Sequence, residues 1–140
     1  MDERSRRART LLGTFFLPAA LMLAGGFSPE IRAQSTAEAA KGQKIFFKVC
    51  VQCHTLKEKD QASGPGLGGV LDRVPSEDWL LKWLEDPEAM VESEDDYAQS
   101  IVDDYSMDMP TLEVMQKESN RKAIVSFFKE IQKGDLDPVE

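Results

Sequence analysis

Cys50-Val51-Gln52-Cys53-His54 puts both cysteines and the sole histidine of a 140-residue chain on five consecutive positions. Two thiols at this spacing, followed directly by an imidazole, fit covalent haem attachment: the sulfurs reach the two vinyl groups and the imidazole reaches the iron. Other readings of these residues account for less. A dithiol redox pair expects a βαβ setting, which the chain does not show, and leaves the histidine without a role. A structural zinc ion needs four ligands where the run offers three, and Cys53 and His54 are chain neighbours. A disulfide across so short a loop constrains little of the unfolded chain. Chance placement of the one histidine beside the pair has a probability of about one per cent.

The first 33 residues read as a secretory signal. Met1 to Arg9 carries four arginines, Thr10 to Phe27 is nearly all apolar, and Pro29 breaks the run. Ile31-Arg32-Ala33 then offers a small residue for cleavage after Ala33. The alternative is an uncleaved anchor, but Gly13, Pro18, Gly25 and Gly26 make this stretch a poor permanent span. Arg6-Arg7 is followed by Ala8-Arg9-Thr10, not by the apolar pair of a twin-arginine signal.

Removing residues 1–33 takes away five basic and three acidic residues, so the formal charge moves from −8 to −10. That excludes nucleic acid as a partner and points to a basic docking surface. The remaining residues, 34–140, suffice for one domain. A core this small gains much from a large buried apolar cofactor.

Helical signals fill the domain. Ser35 with Glu38 forms a capping box, predicting a helix with Ala39, Gly42, Phe46 and Val49 on one face. Residues 55–69 read as a loop ending in Gly64-Pro65-Gly66-Leu67-Gly68-Gly69. It is no phosphate cradle, because no strand precedes it and no Lys-Ser/Thr pair follows. Ser76 caps a second helix with the stripe Trp79, Leu80, Trp83 and Leu84, stopped by Pro87. A third runs from about Glu94 to Tyr105, with Tyr97, Ile101 and Tyr105 four residues apart. The last spans roughly 117–133, striped by Ile124, Phe127, Phe128 and Ile131, with Gly134 as C-cap. No alternating strand pattern or internal repeat is present, so the fold class is all-α.

With these elements in order, residues 35–133 resemble a class I cytochrome c. Lys41 to Phe46 looks like the N-terminal helix whose glycine lets the C-terminal helix approach, and Cys50 to His54 matches the attachment motif. Gly64-Pro65-Gly66-Leu67 resembles the loop whose proline carbonyl accepts a hydrogen bond from the ligand imidazole. Met109-Pro110 resembles the axial methionine segment, and Val125 to Lys129 the C-terminal helix with Phe127 at its aromatic position. The resemblance implies four to five helices around one covalent haem c.

The sixth ligand has four candidates after residue 33: Met90, Met107, Met109 and Met115. Met115 lies near the last helix, where it can simply pack, and Met90 follows Pro87 in an acidic segment. Met107 and Met109 share a non-helical stretch that Pro110 stiffens. Residues alone leave these two open; the resemblance, which sets the ligand directly before a proline, favours Met109. Asp108 stands where the family often has a lysine or small residue. Trp83 is either core or a donor to a haem propionate, and the two roles are compatible.

The resemblance implies one-electron transfer in the bacterial periplasm by a monomeric carrier. Its iron would be held by His54 and Met109, with no open position for an enzyme's substrate. Redox proteins would be its partners. Two other classes stand beside this: a fixed haem subunit of a periplasmic dehydrogenase or oxidase, and an open haem that senses or reduces a small ligand. The stretch from Glu85 to Asp104 holds nine acidic residues and no basic one, either a solvated face or a docking patch.

Overall fold

A computed structural model describes residues 29–59, 62–105 and 108–134. Among these residues six α-helices follow one another: α1 (Pro29–Lys48), α2 (Val70–Arg73), α3 (Glu77–Glu85), α4 (Pro87–Glu92), α5 (Asp96–Tyr105) and α6 (Glu118–Lys133). Single 3-10 turns sit at Cys50–Gln52 and Glu113–Gln116, and no strand occurs among the described residues. The expected all-α class is what the chain adopts.

α1 starts earlier than the capping box indicated. It begins at Pro29, so Ser35 lies inside the helix and does not cap it. Proline is tolerated in a first turn, and Glu30 to Gln34 contains no breaker, so nothing halts the helix before Ser35. Residues 1–28 of the expected signal lie outside the described residues. None of the described helices is long and apolar enough to cross a membrane.

The architecture rests on the crossing of α1 with α6. Ala39, Phe46, Ala123, Ile124 and Phe127 are all but fully buried there. The rings of Phe46 and Phe127 sit 5.7 Å apart, with Phe47 and Phe128 extending the cluster. Each such side chain contributes roughly 1.5–3 kcal/mol on burial. Gly42 makes the approach possible: a Cβ there would overlap the carbonyl of Ala123. Lys41 Nζ reaches the Ser119 carbonyl at 3.2 Å beside the crossing.

α3 packs on α6 and turns its expected stripe inward, with Trp79, Leu80, Trp83 and Leu84 all buried. Ser76 caps it by accepting from the Trp79 N–H at 3.0 Å. Asp86 ends α3 and caps α4 in turn, accepting from the Ala89 N–H at 3.1 Å, while Pro87 occupies the first turn of α4. Proline therefore stops one helix and starts another, a short element that the sequence reading passed over. α5 begins two residues later than expected because Glu94 adopts a left-handed φ of 58° and Asp95 becomes the cap. Gly134, at φ 77°, closes α6 as expected.

Candidate functional site

α1 ends at Lys48, and Val49 turns the chain into the 3-10 turn that begins at Cys50. Within it Cys53 N–H and His54 N–H both donate to the Cys50 carbonyl, at 3.1 and 2.9 Å. Cys50, Cys53 and His54 are half-buried and line one cavity of about 390 Å³. Burial pushes the Cys50 thiol up to about 11, a backbone hydrogen bond opposes this, and the neighbouring Cys53 adds to it.

The glycine-rich loop is tied to this turn on both sides of Pro65. Gly64 N–H donates to the Cys53 carbonyl and Leu67 N–H to the Thr55 carbonyl, each at 2.8 Å. Between them the Pro65 carbonyl lies 2.9 Å from His54 Nδ1. A carbonyl oxygen only accepts, so Nδ1 carries the hydrogen and Nε2 is left with its lone pair. Gly64 backs the imidazole at van der Waals range, with no room for a side chain. Arg73, which ends α2, donates to the Gly66 carbonyl at 2.6 Å and the Gly68 carbonyl at 2.5 Å. The sequence reading missed this clamp; an arginine four residues after the glycine run was its only signal.

Met109 lines the same cavity as His54, with Pro110 beside it. Met115 is fully buried in the core, and Met90 is half-buried against the core and absent from the cavity wall. Met107 lies outside the described residues. Trp83 also lines the cavity, buried and stacked on Trp79 with ring centroids 5.3 Å apart. Trp79 Nε1 donates to Asp95 Oδ1 at 3.1 Å, and the ring of Tyr97 meets Trp79 edge-on at 5.0 Å. The Ala98 N–H and the Trp79 indole hold the Asp95 carboxyl below its usual 3.8. The α5 face of Tyr97, Ile101 and Tyr105 completes that wall.

All six residues singled out in the sequence thus line one cavity: Cys50, Cys53, His54, Pro65, Trp83 and Met109. Leu80, Leu84, Ile124 and Phe128 supply much of the rest of its lining. Paired sulfurs, an imidazole with Nε2 available, and largely apolar walls fit a haem. They fit a helical domain built to hold that cofactor.

A family model described as cytochrome c matches residues 39–132. The chain belongs to the cytochrome c family; it is a haem electron-transfer protein and carries covalently bound haem c. Cytochrome c from Rhodothermus marinus has a similar fold, with a TM-score of 0.62 at 20% identity over 71% of this chain and 80% of that one. An engineered form of the Rhodothermus protein gives 0.59 at 22% identity, covering 70% of this chain and 80% of its own. A second structure of the engineered protein, bound to a carbene intermediate, gives 0.58 at 21% identity over the same shares.

Proposed function

We propose that this chain is a periplasmic, monomeric monohaem cytochrome that passes single electrons between redox proteins. In this reading Cys50 and Cys53 carry the thioether links, and His54 and Met109 are the axial ligands. When bound, haem c supplies the one-electron Fe(II)/Fe(III) couple. The carrying observation is that His54 and Met109 open onto one cavity while Pro65 occupies the other nitrogen of the imidazole. That hydrogen bond fixes the orientation of the ring. With His54 and Met109 both holding the iron, a bound haem would offer no position to a substrate.

Val51, between the two cysteines, is the exposed large apolar side chain among the described residues. The acidic stretch is the docking candidate for a basic partner, and α5 carries part of it along the cavity wall. Glu85, Asp86 and Asp95 are engaged within the fold, which leaves Glu88, Glu92, Glu94, Asp96, Asp103 and Asp104 exposed for that role.

The test is the ferric spectrum of mature protein and of Met109→Ala. Methionine ligation gives a weak far-red band, which the variant should lose while it gains carbon monoxide binding in the ferrous state. A band that persists in Met109→Ala moves the ligand to Met107. A parent protein without the band favours the second reading, an open haem that binds small ligands. Carbene binding in the engineered Rhodothermus protein is the observation that keeps this reading in view.

A further inference from the structure

The chain between Met109 and α6 is fastened at several points. Thr111 Oγ1 donates to Asp86 Oδ1 at 3.1 Å, the carboxylate oxygen that also caps α4. Gln116 Nε2 donates to the Glu85 carbonyl at 2.8 Å. Asn120 Nδ2 donates to the Val114 carbonyl at 2.7 Å. Arg121, in the first turn of α6, donates through Nη1 to the Met115 carbonyl at 2.6 Å and pairs Nη2 with Glu85 Oε2 at 3.0 Å.

Arg121 is the unusual member. Its side chain is 8% exposed against 49% for Glu85, and its Nε is buried with no hydrogen-bond partner among the described residues. A buried cation costs several kcal/mol unless it is paired and hydrogen-bonded. The guanidinium therefore depends on its two acceptors, one on the segment after Met109 and one at the end of α3. It ties the first to the second. With Thr111 held by Asp86 one residue further on, Met109 has only Pro110 between itself and a fixed point.

We propose that Arg121 and Glu85, acting through residues 111–116, position Met109 toward the haem iron and set how readily that methionine is displaced. This rests on Met109 as the sixth ligand. A thioether is an uncharged, soft ligand, so its hold depends on how rigidly the backbone presents it. Neither residue touches the iron; both are positioning residues.

A control is built into the fold. Lys129 Nζ pairs with Glu77 Oε2 at 2.5 Å, joining the same helices α6 and α3 without touching the 111–116 segment. The experiment uses the haem-loaded protein and the variants Arg121→Met, Glu85→Gln, Thr111→Val and Lys129→Met. It reads the ferric far-red band, the rate of cyanide binding, and amide hydrogen exchange across residues 111–116. Arg121→Met and Glu85→Gln should bind cyanide about tenfold faster, weaken the band and raise exchange, as loss of one charge-assisted hydrogen bond implies. Thr111→Val should do the same in smaller measure, and Lys129→Met should leave all three unchanged.

Cyanide rates in Arg121→Met and Glu85→Gln that match Lys129→Met overturn the proposal and reduce the pair to a tie between helices. Should Arg121→Met not fold, Glu85→Gln and Thr111→Val decide, since both keep the guanidinium. Met109→Ala separates the two readings. If it keeps the band, the ligand assignment falls and the positioning role with it. If it loses the band while the other variants bind cyanide at the parent rate, the positioning role falls alone.

Discussion

Gly64 and His54 are in contact so close that a Cβ built on the glycine would stand 2.7 Å from Cε1 and 3.0 Å from Nδ1 of the imidazole. The same ring is held at Nδ1 by the Pro65 carbonyl, 2.9 Å away. Gly64→Ala must therefore displace the imidazole or the loop. Overpacking of this kind costs about 1–3 kcal/mol. Thermal unfolding of the haem-loaded variant checks the loss, and a shifted reduction potential would show that the ring itself had moved. An alanine variant as stable as the parent would mean that the loop yields freely.

Gly42→Ala pits two effects against each other. Alanine favours a helix interior over glycine by roughly 0.5–1 kcal/mol. The added methyl overlaps the Ala123 carbonyl, however, and overpacking costs about 1–3 kcal/mol. The second effect is larger, so the variant should melt lower than the parent. A higher melting temperature would show that α1 and α6 can part without loss.

Asp95 makes the junction of α3 and α5 sensitive to acid. Its carboxyl is held below 3.8, first by the Ala98 N–H and then by the Trp79 indole. A depressed carboxylate contributes stability that is complete above its unfolded value and is lost as pH falls through the folded one. The parent should therefore lose part of its stability below pH 3.8 through this group. Asp95→Asn, which can still accept both hydrogen bonds, should remove that portion of the slope. Tryptophan fluorescence followed during acid titration of both proteins reads the difference.

Electron exchange should carry the mark of the exposed carboxylates. Oxidation of the ferrous protein by a cationic cobalt tris-chelate should slow as salt rises through roughly 0.1 M, where the Debye length is about 10 Å. Ferricyanide should show the opposite trend. Replacing Glu92, Glu94 and Asp96 by their amides should flatten the first dependence with little change in potential. Asp95 is left intact in this test because it caps α5. A steep dependence that survives the three changes would identify these residues as a solvated face.

Local signals carried most of the fold. Stripes at helical spacing anticipated α3, α5 and α6, and Ser76 and Gly134 marked ends that the structure keeps. The start of α1 was misplaced because a good capping box can lie inside a helix when nothing upstream breaks it. α2 and α4 were too short for periodicity to show. For the cavity, clustering in sequence made Cys50, Cys53 and His54 stand out. Arg73 and Arg121 did not, because each acts through backbone carbonyls, and Glu85 and Asp95 showed only as members of the acidic stretch because their partners Arg121 and Trp79 are remote in sequence. Arg121 left one legible trace. It lies three residues before Ile124 on the apolar stripe of α6, where a charged residue has no reason to be unless something pairs with it.

The crossing of α1 and α6 also bears on how the molecule could be divided. The attachment run ends at residue 54 and is followed by the exposed residues Lys57, Glu58 and Lys59. A chain cut there would leave the haem-bearing piece with α1 and the methionine-bearing piece with α6. The Phe46–Phe127 contact and the Gly42–Ala123 approach would then become an intermolecular interface. Two such fragments should reassemble on mixing, and return of the far-red band would report the docking of one on the other. The crossing that joins α1 to α6 within the chain would then make the two pieces a matched pair.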